Sequence, residues 1–219
     1  MTVCFKNEQY HEALEHLLQI CQKRVFPART CLFRPGDKDD KLYFVIEGSV
    51  SVSTEDTETR QELILAHFNK HEFIGEIGVF HSAKEIRQVT IRTRCECILA
   101  EIGYEKFRLA LKHELLAYAP DLLFLLGCQL STRLLLASRK FTDLAFMDVE
   151  GRIARILLDL CKEPDAITHP DGMQLHISRQ EISRMVGCSR EMAGRVIKEL
   201  ENKKLLTAHG KTIVVFVGR

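Results

Sequence analysis

Ser178–Val196 reads SRQEISRMVGCSREMAGRV, two short amphipathic segments that meet at a Gly-Cys-Ser turn. With Arg190 at zero on a helical wheel and about 100° per residue, Met192, Ala193, Val196, Ile197 and Leu200 fall on one half. That half is the one to bury. Arg190, Glu191, Gly194, Arg195 and Lys198 fall on the other, with guanidinium and carboxylate groups at the start of the helix. Ser189 is placed to cap that helix, and Gly187 supplies the sharp turn before it. In the preceding segment Ile182, Met185 and Val186 form the apolar stripe, and Ser178 with Glu181 matches a capping box. The pattern predicts a helix-turn-helix. An arginine can donate two hydrogen bonds to guanine, and a glutamate can accept one from cytosine, so Arg190, Glu191 and Arg195 are the candidate base readers. The bland alternative is a solvated surface helix whose charges do nothing specific.

Beyond the second helix, Leu205–Ala208 and Thr212–Val217 are β-rich runs joined by His209-Gly210-Lys211, which predicts a hairpin wing with His209 and Lys211 at its tip. Ser178, Arg179, Gln180, Ser189 and Lys198 complete the candidate contacts to double-stranded DNA.

Charge agrees with a nucleic-acid-facing end. The 219 residues carry a net charge of only +1, yet His176–Arg219 holds nine Lys or Arg against four Asp or Glu. The basic surplus therefore sits on an otherwise acidic body. Reading along the chain finds no apolar run of the roughly 18–20 residues that a membrane span needs, and no signal-peptide order at the N-terminus, so no membrane association and a cytoplasmic location are expected. The eight cysteines, at 4, 21, 31, 95, 97, 128, 161 and 188, are then expected to be mainly reduced and to act as small hydrophobes.

Residues 28–107 read as an all-β unit: Lys41–Val52, Glu62–Phe68 and Val89–Ile102 are alternating or β-branched, with Pro35-Gly36-Asp37 and Glu47-Gly48 between strands. Such spacing predicts a sandwich or jelly roll. Pro120 and Asp121 then open a long helix in which Leu123, Gly127, Leu130, Leu134, Ala137, Phe141 and Leu144 step by four and three, a heptad seam. The seam could pack on the chain's own β-domain or on a second copy; a helix-turn-helix usually reads two half-sites, which favours the homodimer. Asp148 reads as the cap of a further helix carrying Val149, Ile153, Ile156, Leu157 and Leu160, and Glu163–Gly172 as an exposed loop. The fold class expected is α+β, with a β jelly roll over 1–118, a coiled-coil dimerisation helix and hinge over 119–147, and a winged helix-turn-helix over 148–219.

Within the β-unit, Phe73–Arg92 is FIGEIGVFHSAKEIRQVTIR. Gly75 and Gly78 bracket Glu76 and would let a ligand approach the backbone. A carboxylate there and the Arg87 guanidinium could hold a sugar hydroxyl and a phosphate, although such a turn is also compatible with an ordinary loop.

The order PGD, LYFVIEGSV, FIGEIGVF, a long helix, LAFMDVEGRI, SRQEISRMVGCSREMAGRV and AHGKTIVV resembles the cyclic-AMP receptor protein branch of bacterial transcription regulators over nearly the whole chain. The resemblance implies a cyclic-nucleotide pocket at Gly75, Glu76, Ile77, Gly78, Arg87 and Gln88, completed by Arg133, Ala137 and Ser138 of the dimer helices. Glu76 would meet the ribose hydroxyl and Arg87 the cyclic phosphate. It further implies a TGTGA-like half-site read by Arg190, Glu191 and Arg195, and transcription activation through RNA polymerase. The surface for its α subunit would be Ala166, Thr168, His169 and Gly172. Lys106 and Arg24 would form a second contact, with Gln22 in place of a nearby family histidine.

The chain departs from the family pattern at the pocket. Gln88 stands where a small hydroxyl residue is expected, Ala137 stands where a threonine is expected, and six residues rather than five separate Phe80 from Arg87. A buried polar contact left unmade costs about 1–3 kcal/mol, so cyclic AMP is the first expected effector but a weakened one. Cyclic di-GMP is the alternative, because plant-pathogen members of this branch respond to it and carry a similarly altered residue after that arginine; DNA binding without ligand is the third. An iron–sulfur sensor would need a tighter cysteine cluster than Cys4, Cys21 and Cys31 provide. A jelly-roll metal enzyme would need a His-x-His pair that is missing, and His67 with His71 does not replace it, so no metal site and no enzyme activity are expected. The mechanism implied is allosteric: ligand acting on Arg133 and Ser138 of both dimer helices would set the spacing of the two recognition helices.

Overall fold

The computed structural model describes residues 10–81 and 87–216. The first part opens with α1 (His11–Ile20) and continues through β1 (Gln22–Phe26), β2 (Cys31–Phe33), β3 (Lys41–Glu47), β4 (Val50–Glu55), β5 (Glu62–Phe68) and β6 (Phe73–Ile74). After a single turn of helix, α2 (Ile77–Phe80), come β7 (Thr90–Thr93), β8 (Cys97–Gly103), α3 (Tyr104–Ala110) and the long α4 (Ala119–Phe146). The strands form two four-stranded sheets, ordered β1-β8-β3-β6 and β2-β7-β4-β5. This is the expected jelly roll, with Lys41–Val52 and Val89–Ile102 each broken into two strands by a turn.

The alternation of side chains along β3 decides where the core lies. Tyr43 and Val45 point between the sheets, against Phe33, Val50, Val52, Ile91 and Leu99. Leu42 and Phe44 point the other way, into a second cluster with Leu17 of α1, Phe107 of α3 and Leu122, Leu125 and Leu126 of α4. β8 splits in the same way, Leu99 to one side, Ala100 and Ile102 to the other. Strands buried on both faces explain why LYFVI is a continuous apolar run rather than an alternating one.

The first half of α4 is thus a core helix. Gln129 continues its inner face, fully buried, and its carboxamide accepts from the Phe73 N–H at 2.8 Å and donates to the Phe73 C=O at 2.9 Å. The heptad positions lie elsewhere on the helix: Leu123, Leu134, Phe141 and Leu144 are exposed in the single chain, Phe141 to 75%. Of the two partners open to the seam, the chain's own β-domain uses the neighbouring face instead. Leu116–Phe146 as a whole is long and apolar enough by composition to cross a membrane, which revises the expectation that no stretch approaches that length. Its apolar residues include an inner face already buried and an exposed set on and beside the seam, Phe124, Leu135 and Leu136 among them, with Arg133, Arg139 and Lys140 interposed.

The second part begins at α5 (Val149–Leu160), whose cap Asp148 accepts from the Gly151 N–H at 2.8 Å. It continues with β9 (Ile167–His169), β10 (Gly172–His176), α6 (Arg179–Val186), α7 (Arg190–Asn202), β11 (Leu206–His209) and β12 (Thr212–Val215), the strands ordered β11-β12-β10-β9. One core serves them all: Ile153 and Leu157 of α5, Ile182 and Val186 of α6, Ala193, Val196, Ile197 and Leu200 of α7, and Leu206, Ile213 and Val215 of the hairpin. Both helices start as their caps predict. Ser178 and Glu181 form a reciprocal capping box, and the Ser189 hydroxyl oxygen accepts from the Met192 N–H. Gly187 ends α6 with φ 72°, a left-handed conformation that costs glycine nothing.

Two local expectations differ. Glu163–Gly172 is not all loop: Ile167 and Thr168 pair with Gln174 and Met173, because β10, already held by β12, offers its other edge to β-branched residues. His209 pairs with Thr212 and so ends a strand, leaving Gly210-Lys211 alone as the tip of the wing. Val217 lies outside the described residues.

Candidate ligand cavity and nucleic-acid interface

The jelly roll and the helices packed on it form a cavity of about 1490 Å³, open to solvent on one side, whose lining includes Phe33, Asp39, Glu76, Arg87, Tyr104 and Arg133. Its two half-buried cations, Arg87 and Arg133, are both already paired. Glu76, 4% exposed at its side chain, forms an ion pair with Arg133; Arg133 also donates to the Phe73 C=O at 2.7 Å and lies 3.4 Å over the Phe68 ring. Arg87 donates through Nη2 to the Asp39 carboxylate at 2.8 Å and the Lys41 C=O at 2.6 Å, and through Nη1 to the Tyr104 hydroxyl at 2.8 Å. The guanidinium lies 4.2 Å over Phe33. Tyr104 in turn donates to the Gly75 C=O at 2.7 Å. The Nε atoms of Arg87 and Arg133 are buried with no hydrogen-bond partner among the described residues.

The glycines give space, but to the protein. A Cβ on Gly75 would come within 2.7 Å of Arg87 Nη1 and 2.8 Å of the Tyr104 hydroxyl, and one on Gly78 would land on the Tyr104 ring. The close approach inferred for a ligand is made by Tyr104 and Arg87. Gly78→Ala is therefore expected to destabilise the chain by about 1–3 kcal/mol through overpacking. Gly103→Ala, where nothing lies within 4 Å, is the control and should stay within about 0.5 kcal/mol in the same denaturant titration.

Of the other expected pocket residues, Ile77 and Gln88 line the cavity, both exposed, while Ala137 and Ser138 are exposed on α4 and do not line it in the single chain.

On the second part of the chain, Arg190, Glu191, Arg195 and Lys198 are exposed along one side of α7. Gln180 is exposed on α6, and His209 and Lys211 are exposed on the wing. Arg179 donates to the Gly210 C=O at 2.7 Å, which ties the start of α6 to the wing. The Ser178 hydroxyl donates to the Glu181 carboxylate at 2.8 Å, so its hydrogen is spent on the cap. Ser189 uses only its oxygen and keeps its hydrogen for an outside acceptor.

Thr168 is exposed, and Ala166, His169 and Gly172 are half-buried around the β9–β10 turn, where His169 Nδ1 accepts from the Asp171 N–H at 3.2 Å. On the first part of the chain, Lys106 donates to the Ile20 C=O at 2.8 Å, and Arg24 reaches Glu101 at 3.5 Å. The described cysteines are unbridged. Burial pushes the thiols of Cys21 and Cys97 up to about 11, so both stay protonated and unreactive at neutral pH.

Residues 23–114 match the model of the cyclic nucleotide-binding domain, and residues 151–216 match the Crp-like helix-turn-helix domain. Together they span most of the sequence. The chain belongs to the CRP family of transcription regulators. Its similarity to CRP-like protein Clp of Xanthomonas euvesicatoria and of Xanthomonas campestris is 50% identity over 203 residues, 93% of this chain and 87% of each relative. Among solved structures it superposes on the c-di-GMP responsive global regulator CLP of Xanthomonas campestris with a TM-score of 0.89 at 48% identity, covering 95% of this chain and 100% of that one. A CRP/FNR-family regulator of Thermus thermophilus follows at 0.75 and 25%, covering 90% and 94%.

In this CRP-family chain two cavity residues had no signal in the sequence, Asp39 and Tyr104. Asp39 lies 48 residues from the arginine it pairs with, in a polar stretch where an aspartate carries no periodic or motif information. Tyr104 opens α3 and reads as an ordinary apolar start.

Proposed function

We propose that this chain is a sequence-specific DNA-binding transcription regulator that acts in the cytoplasm as a homodimer and answers to cyclic di-GMP rather than cyclic AMP. The observation that carries the DNA half is the row Arg190, Glu191, Arg195 and Lys198, exposed on the first turns of a helix whose opposite face packs into the core through Ala193, Val196, Ile197 and Leu200. Charges with no intramolecular ion pair among the described residues, held on a rigid helix, suit base edges and phosphates in the major groove. The uncovered heptad seam of α4 supports the dimer, and two copies would read an inverted repeat with TGTGA-like half-sites. Activation would run through Ala166, Thr168, His169 and Gly172 to the polymerase α subunit, with Lys106 in a second contact.

For the effector, a ligand with two phosphodiester charges suits the cavity better than one with a single charge. At about 1490 Å³, and open to solvent on one side, the cavity leaves room for a ligand larger than a mononucleotide. Lys38, Lys106, Arg108 and Lys112 add cationic groups to its lining, beyond the two arginines already paired. The relative that responds to cyclic di-GMP supports the same choice. No metal and no catalytic step belong to this reading.

Calorimetry of the purified chain with cyclic di-GMP, cyclic AMP and cyclic GMP tests the effector. Saturable heat is expected from cyclic di-GMP, together with a changed affinity for an inverted-repeat duplex in fluorescence anisotropy. Saturable binding of cyclic AMP with none of cyclic di-GMP would overturn it.

A further inference from the structure

We infer that Asp39 is a built-in anion that occupies the phosphate position on Arg87 and thereby sets the ligand selectivity of the β-domain cavity. This rests on Arg87 being the cation a phosphate in the cavity would meet, and not on which effector the chain binds. A phosphate entering a low-dielectric cavity needs a buried cation to compensate it. Arg87, 10% exposed at its side chain, is ion-paired with Asp39, itself 16% exposed. The only other arginine among the described lining residues that is mostly screened from solvent, Arg133, is paired with Glu76. At Arg87 a singly charged cyclic phosphodiester therefore gains no new charge pair on entry. It must expel a carboxylate and then sit beside it.

Asp39 is held where it is from both sides. The backbone of Arg87 bonds to the preceding turn, Gly36 N–H to Arg87 C=O at 2.9 Å and Arg87 N–H to Asp37 C=O at 3.4 Å. On the following side the Tyr104 N–H donates to the Asp40 C=O at 2.8 Å. The carboxylate also accepts from the Tyr43 hydroxyl at 3.2 Å. Burial first, and then the Asp39 charge, raise the Tyr43 phenol above its ordinary value, so it remains a donor. The Arg87 Nε, buried with no partner among the described residues, is a donor that the Asp39 carboxylate does not use and a larger anion could.

The test is calorimetric titration of the full chain with cyclic AMP. Asp39→Ala is expected to bind at least about 30-fold more tightly than the unaltered chain, the low end of what uncoupling a desolvated charge pair produces. Asp39→Asn keeps the shape and the bonds from Tyr43 and Arg87 to a neutral oxygen, so it guards against loss of folding, and a gain of about 10-fold is expected from it. Adding Arg87→Ala to either variant should abolish the gain. Variants that unfold cooperatively at the usual temperature yet bind cyclic AMP no better than the unaltered chain would overturn the inference, as would a gain that survives loss of Arg87. Tight binding of cyclic AMP by the unaltered chain would do the same. A silent cyclic di-GMP titration alongside the Asp39→Ala gain would uphold Asp39 as the selectivity residue and remove only the proposed effector.

Discussion

The double variant Leu134→Glu/Phe141→Glu is expected to sediment as a folded monomer and to lose about 10²- to 10⁴-fold in affinity for an inverted-repeat duplex, while its affinity for an isolated half-site changes little. Leu134 and Phe141 are 69% and 75% exposed in the single chain, so neither substitution removes anything from a core of one copy. Their place is on the heptad seam, where a second copy would bring the same residues opposite and each new carboxylate would face its own image. The loss in DNA affinity follows from linkage: two recognition helices joined in one dimer make the second half-site contact intramolecular, whereas separated chains meet each half-site independently. Analytical ultracentrifugation and anisotropy on full-site and half-site duplexes separate the two effects. A variant that remains dimeric would place the dimer contact elsewhere.

How much of the fold is legible in the sequence depends on how local each interaction is. The positions of α6 and α7 and their caps rest on contacts within a few residues, and wheel, cap and turn signals together located Ser178, Gly187 and Ser189 correctly. The heptad seam was equally visible, yet its partner was not, since that depends on which face the β-domain takes. The inner face is set by Leu122, Leu125, Leu126 and Gln129, which meet strands far away in sequence. The strand at Ile167–His169 was missed because a turn-rich composition around Pro170-Asp171 outweighs three residues of β preference until a neighbouring edge is present.

The cavity shows the same limit from another side. Glu76 and Arg87 are marked by glycines and charge, and the reading of Gly75 and Gly78 as points of close approach is right in its physics. The occupant differs: the Tyr104 ring fills the space. Nor could spacing reveal that each charge is already answered, Glu76 by Arg133 from α4 and Arg87 by Asp39 from the loop before β3. Both partners arrive only through the folding of the jelly roll and its helix. Gln88 and Ala137 drew attention as departures from a pattern, but the contact that bears most on selectivity is a residue present, Asp39, rather than a donor lost.

Arg190→Ala should cost about 1–3 kcal/mol in binding to the preferred duplex and relax the preference at a single base pair. Lys211→Ala, at the wing tip, should instead weaken binding on all sequences by a similar factor and lower the salt dependence by about one counterion. The contrast follows from the scaffold. Arg190 leaves α7 at its first residue, next to a capped and hydrogen-bonded Ser189, and the helix behind it is fixed by Ala193, Val196, Ile197 and Leu200 in the core. A guanidinium on so rigid a base can meet one base edge with the planar geometry that two hydrogen bonds require. Lys211 sits at an exposed turn beside Gly210, on a long flexible side chain, and a point charge in that position registers phosphate density rather than sequence. Anisotropy titrations over a panel of single-base substitutions, repeated at several salt concentrations, distinguish the two. Uniform weakening on all sequences by Arg190→Ala would reassign that residue to the backbone and leave Glu191 and Arg195 to carry the specificity.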